Sequence, residues 1–206
     1  MVHRRKTTSQ IRKDILKLRD AMRREDVILK SYNIFENFIA EVDITAYKNA
    51  FVYINFRNEV ITGAILQHLF ENHVAVAAPR VEDDHNAMSA YYITDAIDDL
   101  AIDAFGIRAP KRGLPLCRTE AIDIVITPGV SFDGRGNRIG FGRGYYDTFF
   151  HINRHALRVG LAYDYQVQRE LITTPRDEPV DMIVTESQVI VTESRPGMVK
   201  SRNPKL

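Results

Sequence analysis

Two amphipathic helices are predicted at the start of the chain from the spacing of its apolar side chains. Over residues 8–24 the apolar positions recur every three or four residues, at Ile11, Ile15, Leu18 and Met22. Residues 25–41 repeat this spacing, at Ile28, Tyr32, Phe35 and Ile39. We expect these side chains to face the core. Thr8 or Ser9 is expected to cap the first helix, because a hydroxyl oxygen can accept an unpaired N–H there.

Short runs of β-branched and aromatic residues predict strands, and helical spacing returns between them. The predicted strands cover residues 50–56, 74–79, 88–93, 121–129, 157–163, 181–187 and 189–193, the last two as a hairpin. Further helices are predicted over residues 58–73 and 144–155. This alternation predicts an α/β fold, a mostly parallel sheet flanked by helices on both faces in Rossmann-like layering. We expect a single domain over residues 1–193 and a basic, disordered tail over residues 194–206.

The composition places the chain among globular proteins that need no covalent reinforcement. A chain of 206 residues, 45% of them hydrophobic, can bury a core without disulfides or structural metals. The single cysteine, Cys117, excludes a disulfide framework and is expected to be an unreactive loop or core thiol. No stretch approaches the ~18 apolar residues of a membrane span, and no signal peptide is evident. We therefore expect a cytoplasmic monomer or weak homodimer with no membrane partner.

Residues 127–147, "TPGVSFDGRGNRIGFGRGYYD", contain six of the 11 glycines in the chain. The stretch follows a predicted buried strand and precedes a predicted helix, which places it where α/β sheets bind ligands. Gly140, Gly142 and Gly144 let backbone N–H groups turn toward a ligand, and a helix N-terminus favours an anion. Arg138 and Arg143 add positive charge. The residues alone leave two alternatives open, a phosphate site and a tight structural turn.

Carboxylates stand beside this stretch and beside another strand end. Asp147 lies within the predicted helix and Asp177 lies in a loop, so both are candidate Mg²⁺ ligands next to bound phosphate. Glu59 follows the predicted strand over residues 50–56. It is either a ligand contact or a first-turn residue that favours the helix dipole. The chain contains neither a P-loop nor the dinucleotide-binding spacing.

Positive charge is concentrated at the beginning of the chain. Residues 1–30 contain ten Lys and Arg against four Asp and Glu, and Arg12 and Arg19 share one face of the first predicted helix. This face could bind phosphate or be a solvated surface. Nucleic acid is not expected as a partner, because the basic segments are separated and lack interleaved aromatic residues.

Residues 127–147 resemble the signature of the 5-formyltetrahydrofolate cyclo-ligase family, also called methenyltetrahydrofolate synthetases. That signature runs roughly PGxxFDxxGxRxGxGxGYYD, and this chain meets every fixed position. Other segments are similar to the family in the expected order, namely "IRKDILKLRDAM", "NEVITGAIL", "APRVEDDHNAM", "FGIRAP" and "DEPVDMIVTE". The resemblance implies ATP- and Mg²⁺-dependent conversion of 5-formyltetrahydrofolate to 5,10-methenyltetrahydrofolate, with release of ADP and phosphate.

The resemblance also implies roles for individual residues. Catalytic roles fall to Arg143 and Tyr146, and Mg²⁺ ligation falls to Asp147 and Asp177. The residues implied to bind ATP are Thr8, Arg12, Arg138, Gly140, Phe141, Gly142, Arg143, Gly144, Tyr145 and Tyr146. Those implied to bind the folate are Ile54, Glu59, Phe141, Gly142, Arg143, Gly144 and Tyr145.

The chain departs from the family pattern at three positions. Thr8 stands where the family often has lysine, and Ala109 stands where many members have glutamate. Arg176 precedes Asp177 where many members have histidine, and the aspartate itself is kept. The first two departures leave open a second reading, in which the chain is a paralogue that binds ATP but has a changed substrate or has lost catalysis.

Overall fold

Residues 6–82, 87–103 and 106–199 are described in a computed structural model of the protein. The helices are α1 (Thr8–Asp20), α2 (Arg24–Glu41), α3 (Gly63–Glu71) and α4 (Tyr145–Ile152). The first six strands are β1 (Asn49–Val52), β2 (Ala75–Val81), β3 (Met88–Ile93), β4 (Leu100–Ile102), β5 (Arg108–Pro110) and β6 (Leu116–Cys117). The others are β7 (Ile124–Thr127), β8 (Ser131–Asp133), β9 (Arg138–Ile139), β10 (Leu157–Leu161), β11 (Val167–Gln168), β12 (Met182–Val184) and β13 (Val189–Val191). Among the described residues, no helix is both long enough and apolar enough to cross a membrane.

An eight-stranded sheet forms the centre of the protein, in the order β13-β12-β10-β7-β1-β2-β3-β6. The strands from β12 to β2 are parallel to one another. At the two edges, β13 pairs antiparallel with β12, β3 with β2, and β6 with β3. The predicted hairpin of the last two strands is confirmed, since β12 pairs antiparallel with β13. The carboxyl ends of the parallel strands therefore all lie at one edge of the sheet.

Helices cover both faces of this sheet, as the sequence predicted. Val52 and Ile126 point to one face and pack in a cluster with residues of α2 and α3, among them Phe38. Their neighbours Phe51 and Val125 point to the other face and pack with residues of α4. This alternation follows from the two-residue repeat of a strand, and it makes the parallel strands apolar on both sides.

The two N-terminal helices confirm only part of the predicted inward faces: Ile11 and Ile15 of α1 are buried as predicted, but other positions differ. In α2 the buried positions are Val27, Ser31, Ile34 and Phe38, whereas the predicted Ile28 and Tyr32 are exposed. In α1, Leu18 is 54% exposed and Arg19 is buried in its place. Both helices carry apolar residues on adjacent rows, and periodicity alone does not choose between such rows.

The start of α1 also differs from the prediction by one residue. Thr7, rather than Thr8 or Ser9, is the N-cap, and its side-chain oxygen accepts the N–H of Gln10. The Gln10 side chain returns a bond to the Thr7 N–H, which completes a capping box. A capping box needs Glu or Gln three residues after the N-cap. Thr7 has Gln10 there, whereas Thr8 and Ser9 are followed at that distance by Ile11 and Arg12.

Part of the glycine-rich stretch is a small sheet rather than a loop. Strand β8 pairs with β9 and with β11 in a three-stranded sheet. The buried Asp133 organises the turn after β8, since its carboxylate accepts the N–H groups of Arg135, Asn137 and Leu171. In the same turn Gly136 has φ +82°, and an added Cβ would lie 2.2 Å from the Val180 carbonyl oxygen.

Two more glycines make room for one aromatic ring. A Cβ on Gly129 or on Gly160 would lie 2.5 Å from the ring of Phe132, which is fully buried on β8. Real Cβ atoms do not approach other atoms so closely in a packed interior. Glycine at these positions is therefore explained by packing, without a ligand.

The predicted tail and some other predictions fall partly on residues that the structure does not describe. Arg195 donates to the Ala156 carbonyl and pairs with Asp181 at 3.1 Å, so the segment after β13 is joined to the main sheet. Residues 200–206 of the expected tail lie outside the described residues, as do residues 1–5 of the expected domain. Residues 83–86 and 105, within two of the segments similar to the family, also lie outside them.

Substitution of Gly136 should test the packing role of the glycine-rich turn. We expect Gly136→Ala to lower the free energy of unfolding by about 2 kcal/mol or more, because the methyl group meets a backbone oxygen at a strained φ. Gly134→Ala is the matched control, since no atom lies within 4 Å of its added Cβ. It should change the same quantity by less than about 1 kcal/mol. Chemical denaturation measures both, and equal stability of the two variants would contradict this role.

Candidate active site

Three segments meet at the edge where the parallel strands end. The segment after β1 carries Ile54 and Glu59, and the segment after β7 is the glycine-rich stretch. Helix α1 lies across both, because Ile11 and Ile15 pack with Val130 and other residues of that stretch. At its other end, the side chain of Asn58 donates to the carbonyl oxygens of Arg19 and Met22 at 2.9 and 3.2 Å.

The loop before α4 is held open by glycine and fixed by an arginine of α1. Gly142 and Gly144 have φ values of +101° and +71°, a region that other residues enter only at a cost. Gly144 is the N-cap of α4 and has no side chain that could accept an N–H of the first turn, and the N-terminal end of a helix favours an anion. Arg12 Nε donates to the Gly140 carbonyl at 2.9 Å. These features suit an anion bound at the start of α4.

Glu59 is a buried carboxylate at the same edge. Helix α3 begins at Gly63, so the reading of Glu59 as a first-turn helix residue is wrong. The residue is 7% exposed, its Oε2 accepts the Phe56 N–H at 3.0 Å, and its Oε1 lies 3.5 Å from Arg19 Nη1. Burial raises the pKa of Glu59, and the charge of Arg19 and the Phe56 N–H oppose this rise. The carboxylate can accept N–H donors from a ligand.

Arg19 is a site residue that the sequence prediction did not include. Its guanidinium pairs with Glu59 and also lies 5.3 Å from the ring centroid of Phe141, which is 55% exposed on the glycine loop. One signal in the sequence could have found it, since Arg12 and Arg19 share a helix face. That signal did not say whether the face is buried.

Tyr146 packs beside a buried arginine, and the charge of Glu59 acts on it. The Arg138 guanidinium lies 5.4 Å from the Tyr146 ring centroid, and its Nη2 is 2.9 Å from Asp147 Oδ1. Burial raises the pKa of Tyr146 well above its usual range, and the charge of Glu59 adds to this rise. Burial lowers the pKa of Arg138, and Asp147 opposes that change. Tyr146 is thus a neutral hydroxyl donor, and Arg138 holds Asp147 at the first turn of α4.

Asp147 and Asp177 are the two carboxylates that the resemblance assigns to Mg²⁺, and the charge of each acts on Arg138. Both carboxylates act on the Arg138 guanidinium and stabilise its charge. The Glu178 N–H donates to Asp147 Oδ1 at 3.2 Å, which brings the loop of Asp177 beside α4. Within the described ranges, no group of three or more His, Cys, Asp or Glu side chains could hold a metal. Two carboxylates fit Mg²⁺ if phosphate oxygens complete its ligands.

The structure brings most of the predicted site residues to the same edge of the sheet, but some of them are buried in the core or exposed on the surface. Arg19 contacts both Glu59 and Phe141, and Arg12 bonds to Gly140 beside Phe141. The charge of Glu59 also acts on Tyr146. Arg138 is 4% exposed at its side chain and paired with Asp147, so its contact with nucleotide stays a prediction. Three other predicted residues are placed differently from one another. Thr8 is the first residue of α1 and is partly exposed, Arg143 is exposed on the loop, and Ile54 is buried in the core cluster.

Known proteins resemble this chain over most of its length. A 5-formyltetrahydrofolate cyclo-ligase of Haemophilus influenzae is 30% identical over 184 residues, covering 85% of this chain and 96% of that protein. The solution structure of an Aquifex aeolicus 5,10-methenyltetrahydrofolate synthetase has a TM-score of 0.78 and 31% identity, over 92% of this chain and 94% of that one.

A more distant neighbour shares the fold. The structure of a Mycoplasma pneumoniae 5,10-methenyltetrahydrofolate synthetase has a TM-score of 0.70 at 22% identity, over 87% of this chain and 98% of that one. The sequence model of the 5-formyltetrahydrofolate cyclo-ligase family matches residues 4–186, which include every site residue discussed above. The chain therefore belongs to the 5-formyltetrahydrofolate cyclo-ligase family.

Proposed function

We propose that this protein converts 5-formyltetrahydrofolate to 5,10-methenyltetrahydrofolate in a reaction that consumes ATP and requires Mg²⁺. One observation carries the proposal: helix α1 ties the glycine loop to the buried Glu59, through Arg12 at one end and Arg19 at the other. The loop suits the phosphates of ATP, and Glu59 suits the donors of a pterin. Phosphoryl transfer between two substrates requires such adjacent sites.

The chemistry explains why ATP is needed. The formyl group on N5 is amide-like, and its oxygen is a poor leaving group. Transfer of the γ-phosphoryl group to this oxygen releases ADP and makes an imidate-type phosphate. N10 then attacks the formyl carbon, the carbon–oxygen bond to phosphate breaks, N10 loses its proton, and the five-membered ring closes. The enzyme contributes positioning and neutralisation of charge, as in other phosphoryl transfers.

The described residues match these requirements. Arg143 and the amides of the loop would contact the phosphates, where charge-assisted hydrogen bonds are strongest. Glu59 would accept the adjacent 2-amino and N3 donors of the pterin. Asp147 and Asp177 would hold Mg²⁺, which neutralises phosphate charge when bound. Tyr146 would act as a neutral hydroxyl, because burial raises its pKa.

The proposal is tested by the absorbance of the methenyl product. Absorbance should grow when the protein receives 5-formyltetrahydrofolate and Mg·ATP, and should not grow without ATP. Arg143→Ala should raise KM for ATP and lower kcat, by about tenfold to a hundredfold in kcat/KM, because one charge-assisted contact is lost. Arg24→Ala, at an exposed position that opens α2, is the control and should leave both constants unchanged. Folded protein without product would overturn the proposal, and a silent Arg143→Ala would remove the loop's role.

Two carboxylate variants separate metal binding from folding. Asp147→Asn should raise the Mg²⁺ concentration needed for half-maximal rate and also lower the melting temperature, because the buried Arg138 loses its ion pair. Asp177→Asn should change the Mg²⁺ requirement alone, since Asp177 is exposed and its amide replacement can still accept the Thr174 N–H. Titration of rate with Mg²⁺ and thermal melting measure the two effects. An unchanged Mg²⁺ requirement in both variants would exclude this metal site.

A second candidate function is nucleotide binding with a changed substrate or lost turnover. One observation favours it. The lysine often found at position 8 in the family is Thr8 here, and the nearby Lys6 pairs with Asp14 at 2.6 Å. Lys6, the nearby cation, is therefore engaged with a carboxylate of α1 in this structure. Ala109, where many members have glutamate, is buried in β5.

Introducing a lysine at position 8 tests whether Thr8 weakens the nucleotide site, which is the observation behind the second candidate. Thr8→Lys should lower KM for ATP roughly threefold to tenfold, because it adds one charge-assisted contact to phosphate. Ser9→Lys adds the same charge at the next, exposed position of α1 and should have a smaller effect. The cyclisation assay measures both variants against the unaltered protein. Equal effects of the two lysines would mean that Thr8 does not weaken the nucleotide site.

A further inference from the structure

The buried guanidinium of Arg19 is not explained by the roles assigned so far. The residue is 3% exposed, and its Nε has no hydrogen-bond acceptor within the described ranges. Burying an arginine is costly unless its charge and donors are matched, and an apolar side chain of similar size usually packs at lower cost. Leu18, the adjacent apolar residue of α1, points outward instead. The position of Arg19 therefore points to a purpose other than stability.

Arg19 contacts both halves of the site. Its Nη1 lies 3.5 Å from Glu59 Oε1, and its guanidinium lies 5.3 Å from the ring centroid of Phe141. Its own backbone carbonyl accepts the Asn58 side chain at 2.9 Å, which fixes the end of α1 over the segment that carries Glu59. A single side chain thus joins the carboxylate after β1 to the glycine loop after β7.

We propose that Arg19 is a positioning residue, which holds the Glu59 carboxylate toward the folate and the Phe141 ring of the nucleotide loop with the same guanidinium. This inference rests on the proposed function, because it assigns Glu59 to the folate and the loop to ATP. Arg19 itself need not touch either substrate. It acts by keeping Glu59 ionised and aligned, so that the carboxylate accepts both adjacent donors of the pterin.

Among the groups around Glu59, Arg19 does most to keep its carboxylate ionised. Tyr53 follows β1, Tyr146 lies on α4 and Tyr163 follows β10, and the charge of Glu59 acts on all three. Burial raises the pKa of each tyrosine, so all three stay neutral where a carboxylate titrates. Burial also raises the pKa of Glu59, and Arg19 is the largest opposing influence, followed by the Phe56 N–H. Loss of Arg19 should therefore raise the pKa of Glu59 further and reduce its ionised fraction near neutral pH.

Carboxyl titration of the ligand-free protein tests this effect without any turnover. Carbon-13 NMR should follow the Glu59 carboxyl group, assigned by its absence in Glu59→Gln. Arg19→Met keeps a long apolar side chain and should raise the pKa of Glu59 by roughly one to three units. Arg19→Lys should raise it less, and Lys17→Met, at an exposed cation of the same helix, should leave it unchanged. An unchanged pKa in Arg19→Met would overturn the inference.

Kinetics against pH then separate positioning from a general structural role. In Arg19→Met the KM for 5-formyltetrahydrofolate should rise most between the two Glu59 pKa values, with a smaller change in kcat. The difference should shrink at lower pH, where Glu59 is protonated in both proteins. Arg19→Lys should restore part of the affinity. An equal loss of kcat at every pH, together with a lower melting temperature, would overturn the inference. Absence of turnover in the unaltered protein would refute the proposed function, while the titration would still decide the role of Arg19.

Discussion

The parallel pairing of β1, β7 and β10 is the constraint on which the rest of the structure depends. Val125 of β7 pairs with Phe51 of β1 on one side and with Arg158 of β10 on the other. Because the strands run in the same direction, the segments that follow them emerge at one edge. Glu59 and the glycine loop are 81 residues apart in the chain, counting from Glu59 to Gly140, yet they become neighbours at this edge.

Helix α1 connects the segments that meet at this edge. It packs with Ile11 and Ile15 on the small sheet of the glycine-rich stretch, and it places Arg12 and Arg19 over the two strand ends. The Arg19–Glu59 ion pair is buried, and such a pair adds little net stability because desolvation offsets its attraction. Its position at the strand ends fits a site that orders charge before its substrates arrive.

The glycines of the signature stretch have two different physical explanations. Gly129 and Gly136, together with Gly160 elsewhere, leave no space for a Cβ against Phe132 or the Val180 carbonyl. Gly142 and Gly144 have open surroundings and positive φ, which suits a loop whose backbone must face a ligand. The stretch therefore combines a rigid, tightly packed half with a half whose backbone is available for binding. The residues alone left open a phosphate site or a tight structural turn. The packed half is a structural turn, and the other half is the part that suits a phosphate.

The α/β class, the order of the main helices and strands, and the family could all be predicted from the amino-acid sequence, as could the edge proposed here for the site. These follow from periodicity and from a long signature, both of which are local in the chain. Tertiary structure decided which of two apolar rows of α2 faces the sheet, that Arg19 is buried where Leu18 was expected, and that Arg138 pairs with Asp147. Such choices depend on the shape and charge of distant segments that pack together. A local pattern contains the candidates for burial, but only the packed neighbours fix which side chain is desolvated and which charge it meets.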